Sequence, residues 1–201
     1  MQYLEKKFDL PALEGVSQKS VEEHLGLYAG YVKNFNGIIS LIGKLMENPE
    51  ENAHALAELE RRLSFEFGGM RLHEYYFAQW EGGAKQISEG MLKSALEKHY
   101  GSFEQTLAFI KNVGLMRGPG WAILYLDPQA GVFQMGFSGE QHQGHFVTLP
   151  IILALDVWEH AYILDYGAQG KGKYIDAFFK NLNWDVMEKR FADINSSQAR
   201  S

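Results

Sequence analysis

Asp156 and His160 stand four residues apart in the stretch LPIILALDVWEHAYILDY, where the most apolar run of the chain stops at the aspartate. A carboxylate and an imidazole so placed invite a shared partner. The plainer reading is that a buried strand ends and polar residues open the next helix. The chain has seven histidines, and any one alone is more often structural than a ligand. Two stand out on apolar helical faces among aromatics: His24, followed by Tyr28 and Tyr31, and His73, followed by Tyr75, Tyr76 and Phe77. A buried histidine needs partners for its ring nitrogens. Three imidazoles with Asp156 would form an N₃O set, which suits Mn, Fe or Zn with a position left open and suits Ca²⁺ or Mg²⁺ poorly. The chain has no cysteine, which excludes a thiolate metal site, thiol catalysis and a disulfide framework.

The four residues lie on three distant segments, so the elements that carry them decide whether they meet. With 201 residues, 46% hydrophobic and 22% charged, the chain has an ordinary soluble globular composition and enough length for a substantial core. A net charge of −6 argues against a nucleic-acid partner, which needs a clustered basic surface. It leaves room for a local basic funnel serving a small anion. The start, MQYLEKKFDLPALEG, lacks the apolar core of a secretory signal, and the run from Leu149 to Leu155 is too short to span a bilayer. The expectation is a cytoplasmic protein with no membrane partner.

SQKSVEEHLGLYAGYVKNFNGIISLIGKLMENPEEN predicts a long helix, capped by Ser17 or Ser20, with acids in the first turn and Asn48-Pro49 ending it. ENAHALAELERRLSFEFGGMRLHEYYFAQW predicts a second, bent or interrupted near Gly68-Gly69, pairing with the first as an antiparallel hairpin. WEGGAKQISEG marks a boundary, separating an N-terminal helical domain (1–82) from a C-terminal α+β domain (83–201). In the second part MLKSALEKHY and FEQTLAFIKNVGL are short helices. GWAILYLDP, GVFQMGF and TLPIILAL are strand-like, with a turn from Asp127 to Gly131. Helices close the chain before a frayed NSSQARS.

Several motifs in order resemble the iron/manganese superoxide dismutases: FDLPAL at the opening, VSQKSVEEH and YVKNFN on the first helix, FGGMRLHEYYF on the second, then GPGW, DVWEHAY and NLNWDVMEKRF. DVWEHAY is the most specific of them. The resemblance implies an α+β fold, with a helical hairpin followed by a domain built on a three-stranded antiparallel sheet. It implies one Mn or Fe ion per subunit held by His24, His73, Asp156 and His160, with a solvent molecule as fifth ligand and superoxide as the substrate. Trp121 and Trp158 would line the site, Tyr31 would relay protons, and Glu159 would reach His160 of the other subunit in a homodimer. The family's glutamine beside the solvent ligand comes either from a position four residues before the second histidine or from a loop about twenty residues after the GPGW tryptophan. The first position is Gly69 here, which leaves that space open, and a gap-free count from Trp121 lands on Gln141. This favours Mn slightly, with Gln143 as the alternative in the same loop.

The chain also departs from the family. His24 and Tyr31 are seven residues apart where eight is usual. Seven residues return to nearly the same helical face, whereas eight overshoot by roughly 80° and require a π-bulge, so a regular helix is expected here. The family's funnel histidine is missing from the region of Leu27, Tyr28 and Ala29, and its tyrosine partner after EHAY is Ile163. Lys171, in GKGKY, replaces an arginine that guides the anion, keeping the charge and losing the planar fork. Superoxide disproportionation is the leading expectation. The alternatives are a metal-binding scaffold with little turnover, or a mononuclear metal enzyme acting on another small substrate.

Overall fold

A computed structural model describes residues 2–198. Helix α1 spans Gln18–Leu45 and α2 spans Ala53–Ala78. Ser17 caps α1, its hydroxyl accepting from the Ser20 amide at 3.1 Å, an interaction worth about 1 kcal/mol. The acids expected in the first turn are not there; Glu22 and Glu23 fall one turn later. Ring contacts between the helices descend one as they climb the other. His24 meets Phe77, Tyr31 meets His73 and Phe65, and Phe35 meets Phe67. The pair is therefore an antiparallel hairpin.

Helix α1 is α-helical throughout, with no π-bulge between His24 and Tyr31. Helix α2 runs unbroken through Gly68-Gly69, so the interruption expected there is absent. The glycines serve close approach instead of a break. A Cβ on Gly68 would lie 2.0 Å from the Gln141 carbonyl oxygen, and one on Gly69 would lie 2.4 Å from the Tyr31 ring.

Helices α3 (Met91–Tyr100) and α4 (Phe103–Gly114) lead into strands β1 (Trp121–Asp127), β2 (Val132–Ser138) and β3 (Ile151–Asp156). The sheet is antiparallel in the order β2-β1-β3. The central strand WAILYLD is buried along almost its whole length, as a strand covered on both faces must be. Asp127 makes the β1–β2 turn, its Oδ1 accepting from the Gln129 and Ala130 amides at 3.0 and 3.2 Å, and Gly131 supplies a φ of 67°. The register sets Trp121 opposite Ser138 on one side and Asp156 on the other.

Beyond β3, a 3₁₀ turn (Glu159–Ala161) and a short α5 (Ile163–Tyr166) precede α6 (Lys171–Lys180) and α7 (Trp184–Gln198). Asn195 to Gln198 continue α7 instead of fraying; the last three residues of NSSQARS lie outside the described residues. Tyr76 of α2 and Trp80 in the turn just after it pack on Phe178 of α6, with Tyr76 and Phe178 stacked at 5.6 Å. Such aromatic pairs add about 0.5–1.5 kcal/mol each beyond their buried area, and here they tie the hairpin to the C-terminal half. Among the described residues no helix is long and apolar enough to cross a membrane.

Candidate metal centre

Asp156 is the last residue of β3 and is fully buried. Its Oδ1 accepts from the Trp158 amide at 2.8 Å, which turns Oδ2 toward three imidazoles. The Nε2 atoms of His24, His73 and His160 lie 3.3, 3.7 and 3.2 Å from Oδ2. The hairpin supplies two of the rings, and the 3₁₀ turn after β3 supplies the third. His73 Nδ1 donates to the Gly69 carbonyl at 2.7 Å. A carbonyl only accepts, so Nε2 of that neutral ring carries the free lone pair.

The residues fit a metal. The Nε2 atoms of His24 and His73 are buried with no hydrogen-bond partner, a costly state for polar atoms unless something binds them. One ligand atom from each of the four residues lies within 4.8 Å of every other. The donors are three nitrogens and one oxygen, a set suited to Mn or Fe.

Burial pushes the His73 ring down to about 3 and lowers that of His24 as well, so both stay neutral and able to bind. Burial would raise the Asp156 carboxyl, but the neighbouring His160 and His24 rings outweigh it and hold the group well below the usual carboxylate range. Burial works against His160, yet Asp156 raises its ring above the ordinary value.

Around the four, Trp121 sets its ring edge-on to His73 at 5.2 Å, and Trp158 lies parallel to His160 at 6.1 Å. Trp121 Nε1 donates to Gln141 Oε1 at 2.9 Å, and Gln141 Nε2 donates to the Tyr31 hydroxyl at 3.1 Å. An indole N–H can only donate, so this chain settles which end of the amide faces which neighbour. Gln141 is buried, whereas Gln143 is exposed. The Tyr31 ring lies 5.1 Å from that of His73, and burial first, then the charges of Asp156 and Glu66, push its hydroxyl up to about 12. The space expected to stand open at Gly69 is filled by the Tyr31 ring, and Gln141 lies over Gly68 instead.

Other expected residues stand further out. Glu159 is exposed. Lys171 donates to the Met116 and Gly118 carbonyls at 2.7 and 3.0 Å, which ties its charge to the loop before β1. Leu27, from the region where the funnel histidine was expected and not found, and Ile163 form an apolar pair that lines one cavity of about 580 Å³ with His24 and His160. Tyr28 turns into the core, its hydroxyl accepting from the Lys6 amide. Sequence reasoning missed Tyr76, whose ring lies 4.9 Å from that of His24, and its hydroxyl partner Tyr174 at 2.9 Å. It also missed the tie from Tyr125 to His145 at 2.8 Å, for which the only local signal was the four-residue spacing of Trp121 and Tyr125 on one strand.

Residues 88–190 match the family signature for the C-terminal domain of iron/manganese superoxide dismutases. An iron superoxide dismutase of Saccharolobus solfataricus is 32% identical over 92% of this chain and 93% of its own. One from Aquifex pyrophilus is 33% identical, over 89% of this chain and 85% of its own. A manganese superoxide dismutase of Mycolicibacterium smegmatis is 33% identical, over 94% of this chain and 91% of its own. The fold and the N₃O site define a mononuclear metalloprotein. Within that class, the chain belongs to the iron/manganese superoxide dismutase family.

Proposed function

We propose that the protein is a superoxide dismutase, disproportionating superoxide to dioxygen and hydrogen peroxide, with His24, His73, Asp156 and His160 holding one Mn or Fe ion. The observation that carries this is the convergence of three imidazole Nε2 atoms on Asp156 Oδ2, two of them otherwise unpartnered. When bound, the ion supplies the one-electron oxidation and reduction of two superoxide anions, a change zinc cannot make. Gln141 in the loop, with no side chain at Gly69, favours Mn slightly, though relatives that are each 33% identical carry either metal in their names.

The chain's own residues orient the site and deliver protons. The Trp158 amide turns the Asp156 carboxylate, and the Gly69 carbonyl fixes the His73 tautomer; such outer partners tune metal sites. Trp121 and Gln141 are assigned as the hydrogen-bond chain that ends on Tyr31. Because the Tyr31 oxygen accepts from Gln141, its own hydrogen remains free to be donated to the forming peroxide. Trp121, Trp158 and Tyr31 crowd the site and keep bulk water out. Lys171 adds a fixed positive charge to the approach of the anion.

A homodimer in the cytoplasm belongs to the same reading. Half-exposed Leu27, Ile163 and Leu164 surround the cavity beside His160, and Glu159 is exposed next to it. A second copy would cover these groups, with Glu159 reaching the other subunit's imidazole. The apolar pair and the tethered Lys171 also favour a second reading, a metal-binding scaffold with little turnover. Metal content and superoxide turnover measured on one purified sample separate the two. A fully metallated protein that does not accelerate superoxide decay would overturn the enzymatic reading.

A further inference from the structure

Gln141 sits in a segment without regular secondary structure, from Gly139 to Pro150, yet its side chain is 1% exposed and held at both ends. The segment contains Gly144 at a φ of 87° and Thr148 at 67°, the only described non-glycine residue with positive φ. Chain of this kind does not hold an amide in place without a brace.

The brace lies on its main chain. His145 Nε2 is 3.1 Å from the Gln141 carbonyl oxygen and 3.3 Å from Ser138 Oγ, and His145 Nδ1 is 2.8 Å from the Tyr125 hydroxyl. A carbonyl only accepts, so Nε2 carries the hydrogen. In the neutral ring Nδ1 then accepts from the Tyr125 O–H. Ser138 Oγ is in turn hydrogen-bonded to the Glu140 carbonyl at 2.5 Å and to that of Gln143. Tyr125 is 2% exposed and four residues after Trp121 on β1, hence on the same face of that strand. Gln141 therefore hangs from β1 twice, by its amide from Trp121 and by its carbonyl, through His145, from Tyr125. Gly68 lets that carbonyl settle against α2.

We propose that His145 is a positioning residue for Gln141, holding the carbonyl of the one residue whose amide links Trp121 to Tyr31. This rests on the reading that Gln141 acts at the metal centre. It assigns to a side chain that touches neither metal nor substrate a share in the reduction potential and in proton delivery.

The test compares His145→Ala, Tyr125→Phe and Gln141→Leu in the full chain, by metal content, midpoint potential, kcat, and ¹⁵N spectra of the metal-free proteins. The Gln141 side-chain amide is assigned as the resonance missing from Gln141→Leu. Gln141→Leu is expected to shift the potential. His145→Ala should shift it in the same direction by less, keep its metal, lower kcat about tenfold, at the low end of what orienting partners cost, and move the Gln141 amide resonance. In a Gln141→Leu background, His145→Ala should add no further shift. An unmoved potential and unmoved amide resonance in His145→Ala, beside a shifted Gln141→Leu, overturn the positioning role and leave the reading of Gln141 standing. An unmoved potential in Gln141→Leu overturns that reading instead. If His145→Ala does not fold, Tyr125→Phe, which removes only the donor to Nδ1, decides on the same measurements.

Discussion

Trp121 and Asp156 are cross-strand partners at one end of the sheet, on β1 and β3. That register places the donor to Gln141 beside the carboxylate that faces three imidazoles. A shift of one residue would send one of the two to the opposite face, so the sheet sets the spacing between the ligand group and the amide chain above it.

The ligand assignment predicts that His73→Ala or Asp156→Ala loses the metal and, with it, thermal stability, because an ion bound only by the folded state stabilises that state. Elemental analysis and thermal melts of both variants check this. Full occupancy in either one contradicts the assignment.

Gly68 offers a contest of magnitudes. Replacing a helix-interior glycine by alanine ordinarily stabilises by about 1 kcal/mol. Here the new Cβ would fall 2.0 Å from the Gln141 carbonyl oxygen, and overpacking costs about 1–3 kcal/mol. Gly68→Ala should therefore lower the urea midpoint and reduce turnover by displacing Gln141. A more stable and fully active variant would show that the loop yields without cost.

Lys171→Met should lower kcat/KM most at low ionic strength and flatten its salt dependence, since a fixed cation acts on an anion through a screened field. Rates that respond to salt as the wild type's do would remove Lys171 from the approach path. They would leave it as a tether for the Met116 and Gly118 carbonyls.

Metal-free protein should weaken as acid is added. His73 is pushed down to about 3 and His24 is lowered, both by burial. Unfolded histidines titrate near 6.5, so below that pH the unfolded state binds more protons and stability falls. His160 runs the other way. Burial opposes it, but Asp156 raises it, so its contribution is present below about 6.5 and is lost as pH rises through the raised value. Two lowered rings outweigh one raised ring. The depressed Asp156 adds a further loss below about 3.9. Urea unfolding of chelator-treated protein at pH 7 and pH 5 measures the balance, and an equal or higher midpoint at pH 5 would contradict it.

What the sequence determined by itself is what short-range rules govern. A separation of seven positions from His24 to Tyr31 brings both to one side of a regular helix, and that helix carries no bulge. The apolar run that stops at Asp156 is a strand ending there, and the three strands and the Asp127 turn lie where alternation and turn chemistry put them. Four ligand types in four motifs were legible because each motif is local.

Only the tertiary structure decided what depends on distant residues meeting. Gly68-Gly69 looked like a helix break because glycine weakens helices, and nothing local reveals that Gln141 and Tyr31 press against those two positions. Lys171 looked like a free guiding charge until the Met116 and Gly118 carbonyls met it. His145 looked like one polar residue in a polar loop. Its role exists only once β1 brings Tyr125 to one ring nitrogen and the loop turns the Gln141 carbonyl to the other. Periodicity reports which face of an element is buried, and it does not say which residue from elsewhere will lie against it.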